Sequence, residues 1–212
     1  TTGSASSDAV DVPPPAPGVM TPEEEAFLNN YLARLQYMVY YDEAAGIDER
    51  NAKVAVNQAN RYLLEKLGLS VVDFDQIEKN KKDQQAAYQS ETGGSIDLIQ
   101  YLAQKYNADV YVEVSFSSTP SSSGGKFYAT AQGSMKIYDT STAQLLGSVA
   151  FQSPQVTSTV SSDAAVANAV AASVWSAMPK MTEQTKVLVK NSMSRGIRYE
   201  VVIQNTPDSR QI

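Results

Sequence analysis

The sequence contains neither cysteine nor histidine among its 212 residues. Thiol and imidazole nucleophiles, a histidine general base, the usual zinc sites and disulfides are therefore excluded. No apolar run approaches the roughly 20 residues that a membrane helix needs. Basic residues are scarce as well, since 17 lysines and arginines stand against 23 acidic residues and give a formal charge of −6. This charge argues against nucleic acid as a partner, because phosphate backbones bind clustered Lys and Arg.

The first 20 residues are small, polar and rich in proline, with four prolines between positions 13 and 17. This composition favours an extended, solvated chain that contributes nothing to a core. We predict a disordered tether over residues 1–20. It has no basic residues and no apolar stretch, so it is not a signal peptide. A tether of this kind is common at the mature start of lipoproteins, and we expect an acylated cysteine to precede Thr1.

Residues 109–151 form the stretch around which the chain is organised. Apolar and polar residues alternate over 110–116 and again over 127–138, which is typical of strands with one buried face. Residues 139–142 (DTST) favour a turn, and 145–151 return as a third strand. We predict three consecutive antiparallel strands, with a polar Ser/Gly-rich loop between the first two.

The flanking segments predict two helix-strand units before this hairpin and a helix after it. The expected helices cover residues 22–32, 49–67, a polar stretch before Gly93, and 96–106 with Ser95 as its cap. The expected strands cover 35–42 and 69–74. A further helix begins at Ser162 or Asp163 and is kinked or stopped by Pro179. Thr182 then caps a second helix to Ser194, and a strand follows over 197–205.

The predicted fold class is α/β (α+β): a mixed sheet with a three-strand antiparallel section, packed by helices. We assign residues 1–20 to the tether and residues 21–180 to one α/β domain, a size that can bury an ordinary core. Residues 181–212 form a helix and a strand, interpreted as the start of a truncated second domain.

Carboxylates offer the main candidates for chemistry. Asp42, Glu43, Asp48 and Glu49 lie at a strand end and a helix start, where acids serve turns and helix dipoles. Asp73 and Asp75 follow a strand and could serve a carboxylate-dependent hydrolase, although no companion motif supports them. The sequence of residues 123–126 (SGGK) lacks the spacing of a phosphate loop. We expect no catalytic residue, no cofactor and no metal.

One face of the predicted hairpin is polar and aromatic, which suits protein recognition because Tyr gives a large contact area at low entropy cost. The alternatives are that these are ordinary sheet residues covered by a helix, or that the tyrosines stack on glycans. The candidate binding residues are Tyr111, Glu113, Tyr128, Thr130, Gln132 and Tyr138.

The order of these elements resembles that of bacterial envelope proteins with an anticodon-binding-like α/β domain. The resemblance is carried by residues 67–68 (LG), 71–73 (VVD), 76–77 (QI) and 108–112 (ADVYV), and by a hairpin in which 142–143 (TA) replaces the usual Thr-Gly. This group includes the curli secretion channel lipoprotein, the lipoprotein activators of penicillin-binding proteins, the amino-terminal domain of the Tol-Pal propeller protein and flagellar assembly protein T.

The resemblance implies a non-enzymatic adapter or assembly protein in the periplasm, anchored to the outer membrane only through an N-terminal lipid. The expected partner is an envelope protein: a cell-wall synthase, a Tol-Pal component or a flagellar component. Homo-oligomers are compatible with this interpretation. The alternatives are a module that binds peptidoglycan or a small molecule, and the carboxylate-dependent hydrolase described above.

Overall fold

The computed structural model describes residues 20–194, with side chains up to residue 191. The predicted tether and the predicted strand at 197–205 lie outside the described residues. The helices are α1 (Pro22–Leu32), α2 (Glu49–Leu67), α3 (Phe74–Thr92), α4 (Leu98–Lys105) and α5 (Ser162–Ser194). The strands are β1 (Gln36–Tyr41), β2 (Ser70–Val71), β3 (Val110–Ser123), β4 (Lys126–Asp139), β5 (Leu145–Gln152) and β6 (Val156–Ser158).

The sheet has the order β2-β1-β3-β4-β5, and β6 pairs with the far end of β4. β1 runs parallel to β2 and β3, whereas β3, β4 and β5 are antiparallel to one another. The predicted mixed sheet with a three-strand antiparallel section is therefore confirmed.

Helices cover both faces of the sheet. α2 and α5 pack on each other and on one face, where Tyr62 and Trp175 meet edge to face with ring centroids 5.0 Å apart. α3 and α4 lie on the other face, against β1 and β3. The central strand β1 is covered from both sides, so its residues 37–41 are all buried. Each such apolar side chain contributes about 1.5–3 kcal/mol of burial free energy.

The helix starts follow the predicted capping chemistry, with one exception. Thr21 forms a reciprocal capping box with Glu24, and the Asp48 carboxylate accepts a hydrogen bond from the Asn51 amide. The predicted cap Ser95 is wrong, because Asp97 accepts from the Ile99 and Gln100 amides and α4 starts at Leu98. A carboxylate that reaches two amides outcompetes the hydroxyl two residues earlier.

The second strand is shorter than predicted. The sequence predicts an extended segment over residues 69–74, but only Ser70–Val71 pair with β1. The Asp73 carboxylate accepts a hydrogen bond from the Asp75 amide at 3.2 Å and caps α3, which begins at Phe74. Asp73, which the sequence places at the end of a strand, is thus the N-terminal cap of a helix.

The predicted polar loop between the first two hairpin strands is wrong. β3 continues through residues 117–123 and pairs with β4 as far as Ser123 opposite Lys126. Gly124 and Gly125 alone make the turn, both with positive φ (57° and 73°), as the tightest hairpin turns require. The sequence does not predict β6 either, because its three residues pair with β4 inside a Ser/Thr-rich segment.

The final helix is longer than predicted, since α5 passes through Pro179 and ends at Ser194. Proline removes one helical hydrogen bond, but Met178 and Met181 on either side of it are buried in the main core. That packing holds the helix together across the missing bond. Thr182 is inside the helix rather than its cap, with its hydroxyl 2.8 Å from the Pro179 carbonyl. The division of the chain at residue 180 stays a prediction.

Candidate functional site

The pairing of β3 with β4 places all six candidate residues on one face of the sheet. Tyr111 lies opposite Tyr138, Glu113 opposite Lys136, and Gln132 opposite Ser117. Thr130 and Tyr128 continue the same row toward the tip of the hairpin, because residues two apart in a strand share a face. We call this surface the polar sheet face. Its two ends, at Tyr111 and Tyr128, are separated by about 33 Å, or ten residues of strand.

The end of the polar sheet face nearest α4 is closed. Tyr111 is only 4% exposed and stacks on Tyr138 with ring centroids 4.9 Å apart. α4 lies against β3 here, and the Gln100 amide donates a hydrogen bond to the Thr140 carbonyl. Burial raises the pKa of both tyrosines. The expectation that Tyr111 is exposed for recognition is therefore wrong, because a helix covers it.

Glu113 occupies the boundary between the closed and open parts of the face. Its side chain is 18% exposed and lies 3.9 Å from the Lys136 ammonium group. Burial is the largest influence and raises the pKa of Glu113, and the Asp42 carboxylate raises it further. Lys136 opposes this shift without cancelling it. Glu113 therefore destabilises the fold when it is ionised, which is unusual for a structural carboxylate.

Beyond Glu113 the polar sheet face is open, and the residues around Gln132 are uncharged. Gln132 is exposed, and Ser115 and Ser134 are half-buried beside it. A shallow depression crosses β3, β4 and β5 at this point, and none of its lining residues carries a charge. The lining residues are Ala45, Ser115, Phe116, Ser117, Gln132, Gly133, Ser134, Ala150, Phe151 and Gln152.

Gly133 shapes this depression. A Cβ atom built on Gly133 would lie 2.2 Å from the Ser115 carbonyl oxygen and 2.7 Å from the Phe116 Cβ atom. Only a residue without a side chain allows the two strands to approach this closely. The side chains around the depression are small or carry an amide, apart from Phe116 and Phe151.

The free edges of the sheet are poorly suited to pairing with another strand. β2 has only two residues, and the part of β3 beyond its last β1 partner, Val114, contains Pro120, which has no N–H to donate. On β5, the Ser148 N–H donates to the Gln184 side chain at 3.1 Å. Within residues 20–194, recognition through a face is therefore favoured over strand addition.

The carboxylates of the hydrolase alternative serve the fold. Asp73 caps α3, and Asp75 accepts a hydrogen bond from the Lys53 ammonium group at 2.6 Å. Asp42 caps the short 3-10 turn Glu43–Ala45, as the turn interpretation predicted. No group of three or more acidic side chains able to hold a metal occurs in residues 20–194. Asp73 and Asp75 thus each have a structural partner.

A cluster of four polar side chains is not predicted by the sequence. The Tyr40 hydroxyl lies 2.8 Å from a Glu43 carboxylate oxygen and 2.6 Å from a Glu78 carboxylate oxygen. Lys81 lies 2.5 Å from the same Glu43 oxygen. Burial, followed by these two carboxylates, raises the pKa of Tyr40. The cluster joins β1 to α3, and no local spacing in the sequence indicates that residues 38 positions apart meet.

None of the helices in residues 20–194 has the length and apolar character that a membrane-spanning segment requires. No protein-family model and no curated protein sequence matches the chain.

Solved structures of bacterial proteins do match it. Lipoprotein GNA1162 from Neisseria meningitidis is 12% identical, with a TM-score of 0.42, over 76% of this chain and 99% of that chain. The C-terminal domain of LpoB from Salmonella enterica is 13% identical, with a TM-score of 0.33, over 64% of this chain and 94% of that chain. The PelC dodecamer from Paraburkholderia phytofirmans is 9% identical, with a TM-score of 0.38, over 72% of this chain and 87% of that chain.

The matched structures include a bacterial lipoprotein, and lipoproteins are among the envelope proteins that the sequence resembles. These identities and TM-scores are too low to carry an argument about activity or partners. The proposals that follow rest on the residues of this chain.

Proposed function

We propose that this chain is a non-enzymatic adapter or assembly protein of the bacterial cell envelope. It binds another envelope protein through the open part of the polar sheet face, around Gln132 and Ser134. The observation that carries this proposal is the neutral depression across β3, β4 and β5, which is uncovered in the described part of the chain.

The chemistry of this surface favours a protein partner over a glycan. Glycan binding by stacking needs exposed aromatic rings, but Tyr111 is buried and Tyr138 is stacked on it. Tyr128 is half-buried near the tip of the hairpin. Small hydroxyl and amide side chains remain, and these provide hydrogen bonds and close approach to a protein backbone.

The sequence of the first 20 residues is compatible with the proposed periplasmic location. It is rich in proline and small polar residues, a composition suited to a spacer between a lipid anchor and a domain. The partner classes are those named above: a cell-wall synthase, a Tol-Pal component or a flagellar component. A peptidoglycan-binding module is the alternative that the same experiments separate from protein binding.

The test is site-specific photo-cross-linking in cells of the source organism, with a photoreactive amino acid at Gln132. The matched control carries the same group at Leu64 on α2, which is 51% exposed and belongs to the helix layer on the other face of the sheet. We expect position 132, and not position 64, to cross-link to a protein of one of the three partner classes.

A second variant, Gln132→Arg, places a charge in the neutral depression. Because Gln132 is exposed, the variant should keep the circular dichroism spectrum of the parent and lose the cross-linked product from a reporter at Ser134. Equal cross-linking from positions 132 and 64, or retention of the product in Gln132→Arg, would contradict the proposal. Pelleting with purified peptidoglycan but no protein cross-link would support the glycan alternative.

A further inference from the structure

Three carboxylates converge where the closed part of the polar sheet face meets the open part. Asp42 follows β1 directly, Asp97 caps α4, and Glu113 belongs to β3. Burial, followed by the charge of Asp42 and then by a smaller contribution from Asp97, raises the pKa of Glu113. Burial, followed by the charges of these same three carboxylates, raises the pKa of the Tyr138 hydroxyl. We call the region that they border the acidic notch.

The negative charge of the acidic notch is not balanced by the lysine beside it. Lys136 lies opposite Glu113 on β4, and its ammonium group is 3.9 Å from the carboxylate. This distance is longer than the roughly 2.8 Å of a charge-assisted hydrogen bond. Lys81 on α3 is already held by Glu43 and Glu78 in the neighbouring cluster. Three carboxylates against one lysine leave the notch with a net charge of −2.

The floor of the acidic notch contains a polar group without a partner. Tyr111 is 4% exposed, and its hydroxyl forms no hydrogen bond with the residues whose side chains the structure describes. Burial, followed by the charge of Asp97 and smaller contributions from Tyr138 and Glu113, raises the pKa of Tyr111. The hydroxyl therefore points toward the carboxylates. A buried phenol oxygen in this position is a free acceptor for the N–H groups of a bound cation.

The shape of the acidic notch favours an organic cation over a metal ion. Within residues 20–194, no three acidic side chains lie close enough together to hold a metal. The charges are instead spread around a pair of tyrosine rings, Tyr111 and Tyr138, with centroids 4.9 Å apart. A guanidinium group suits such a site, because it is planar, weakly hydrated, stacks on aromatic rings and presents several N–H donors to carboxylates.

We propose that the acidic notch binds an arginine side chain of the protein partner. This inference rests on the proposed function, because the arginine belongs to the protein that covers the neutral depression. Glu113 and Ser115 are two residues apart on one face of β3, so the notch and the depression are about 7 Å apart and form one surface. Glu113 and Asp97 pair with the guanidinium group, Tyr138 stacks on it, and the Tyr111 hydroxyl accepts one of its hydrogen bonds.

The direct test is an NMR titration of the full chain at pH 7, with isotope labels in the tyrosine rings and the glutamate carboxyl groups. The probe is N-acetylarginine amide, and the matched control compound is N-acetylcitrulline amide, which has nearly the same shape but no charge. We expect saturable shifts of the Tyr138 ring and Glu113 carboxyl signals with the arginine compound and none with the citrulline compound.

Two variants remove one charge each while they keep the fold. Glu113→Gln has the shape of the parent side chain, and relief of its raised pKa makes it more stable than the parent at pH 7, so unfolding would not explain a loss of binding. Asp97→Asn retains a residue that caps helices well. Each should weaken binding of the arginine compound by about fivefold. The matched control is Glu65→Gln on α2, in the helix layer on the other face, which should bind like the parent.

The proposal is overturned if the two compounds shift the same signals equally, or if Glu113→Gln binds the arginine compound as tightly as Glu65→Gln does. Calcium chloride that gives the same saturable shifts would overturn it as well. In cells, Glu113→Gln should reduce the cross-linked product from the reporter at Ser134, and Glu65→Gln should not. An unchanged product would refute the assignment to the partner.

The two proposals fail in distinguishable ways. A protein cross-linked from position 132 without binding of the arginine compound retains the proposed function and overturns the arginine site. Binding of the arginine compound without any protein cross-linked from position 132 supports the acidic notch as a cation site and contradicts the proposed function.

Discussion

Replacing Gly133 with alanine should weaken the fold more than any other single added methyl group in the described sheet. The Cβ atom of the new side chain would lie 2.2 Å from the Ser115 carbonyl oxygen and 2.8 Å from the Phe116 Cα atom. These are backbone atoms of the neighbouring strand, so the contact is relieved only if β3 and β4 move apart. The movement needed is about 1 Å, because Cβ atoms approach carbonyl oxygens no closer than about 3.3 Å.

The expected loss of stability follows from the bonds that this movement breaks. Two hydrogen bonds of the ladder beside Gly133 contribute about 0.5–1.5 kcal/mol each. Overpacking elsewhere in the contact adds about 1–3 kcal/mol, whereas the lower entropy of the unfolded alanine chain returns about 0.4–1 kcal/mol. The central values give a net loss of about 3 kcal/mol, which lowers the melting temperature by roughly 6–12 °C in a domain of this size.

Gly147→Ala is the matched control. Among the nearest atoms, its Cβ atom would meet side chains and no backbone: the Ile137 Cδ1 atom at 2.9 Å and the Gln184 side chain at 3.4 Å. These side chains can shift at about 0.5–1.5 kcal/mol. Urea unfolding of both variants, followed by circular dichroism, measures the difference. If Gly133→Ala is as stable as Gly147→Ala, the close approach of β3 and β4 does not exist as described. The shape of the candidate site would then have to be revised.

Three further changes test the side-chain account. Tyr40→Phe removes the hydroxyl that lies between Glu43 and Glu78 and should cost about 1–3 kcal/mol in urea unfolding, because the one proton of this hydroxyl is donated to a partly buried carboxylate. An unchanged midpoint would show that the cluster is solvated. The pKa of Glu113 is raised by burial, so the folded state binds its proton more tightly and loses stability as the pH rises from about 4.5. Glu113→Gln should therefore gain stability relative to the parent at pH 7 but not at pH 4, and an equal effect at both values would refute the assignment. Pro179→Ala restores a helical N–H inside α5 and should raise stability by about 1 kcal/mol in urea unfolding; an unchanged or lower midpoint would contradict this expectation.

The sequence predicted the elements whose signals are local. The caps Thr21 and Asp48 are predicted correctly because a capping side chain bonds amides two or three residues away. The alternation in residues 110–116 and 127–138 indicates the correct faces of β3 and β4, since the side-chain period of a strand is independent of its neighbours. All six candidate residues consequently lie on one face, as predicted.

The sequence-based predictions fail where two local signals compete, or where contacts with residues distant in the chain determine the local structure. The composition of residues 117–123 favours a loop, but pairing with β4 holds these residues in a strand as far as the turn at Gly124 and Gly125. Pro179 favours a helix stop, but buried methionines on both sides keep α5 continuous. In both cases long-range contacts outweigh a local propensity of about 1–3 kcal/mol.

The sequence by itself determined which residues share a face, where helices begin, and which chemistries are excluded by the missing cysteine and histidine. Only the tertiary structure decided which part of each face is covered. α4 buries Tyr111, whereas Gln132 on the same row of side chains stays open, and α5 closes over Ile137 but leaves Val187 and Leu188 exposed. Burial depends on elements far away in the chain, and periodicity carries no information about which of them will pack there.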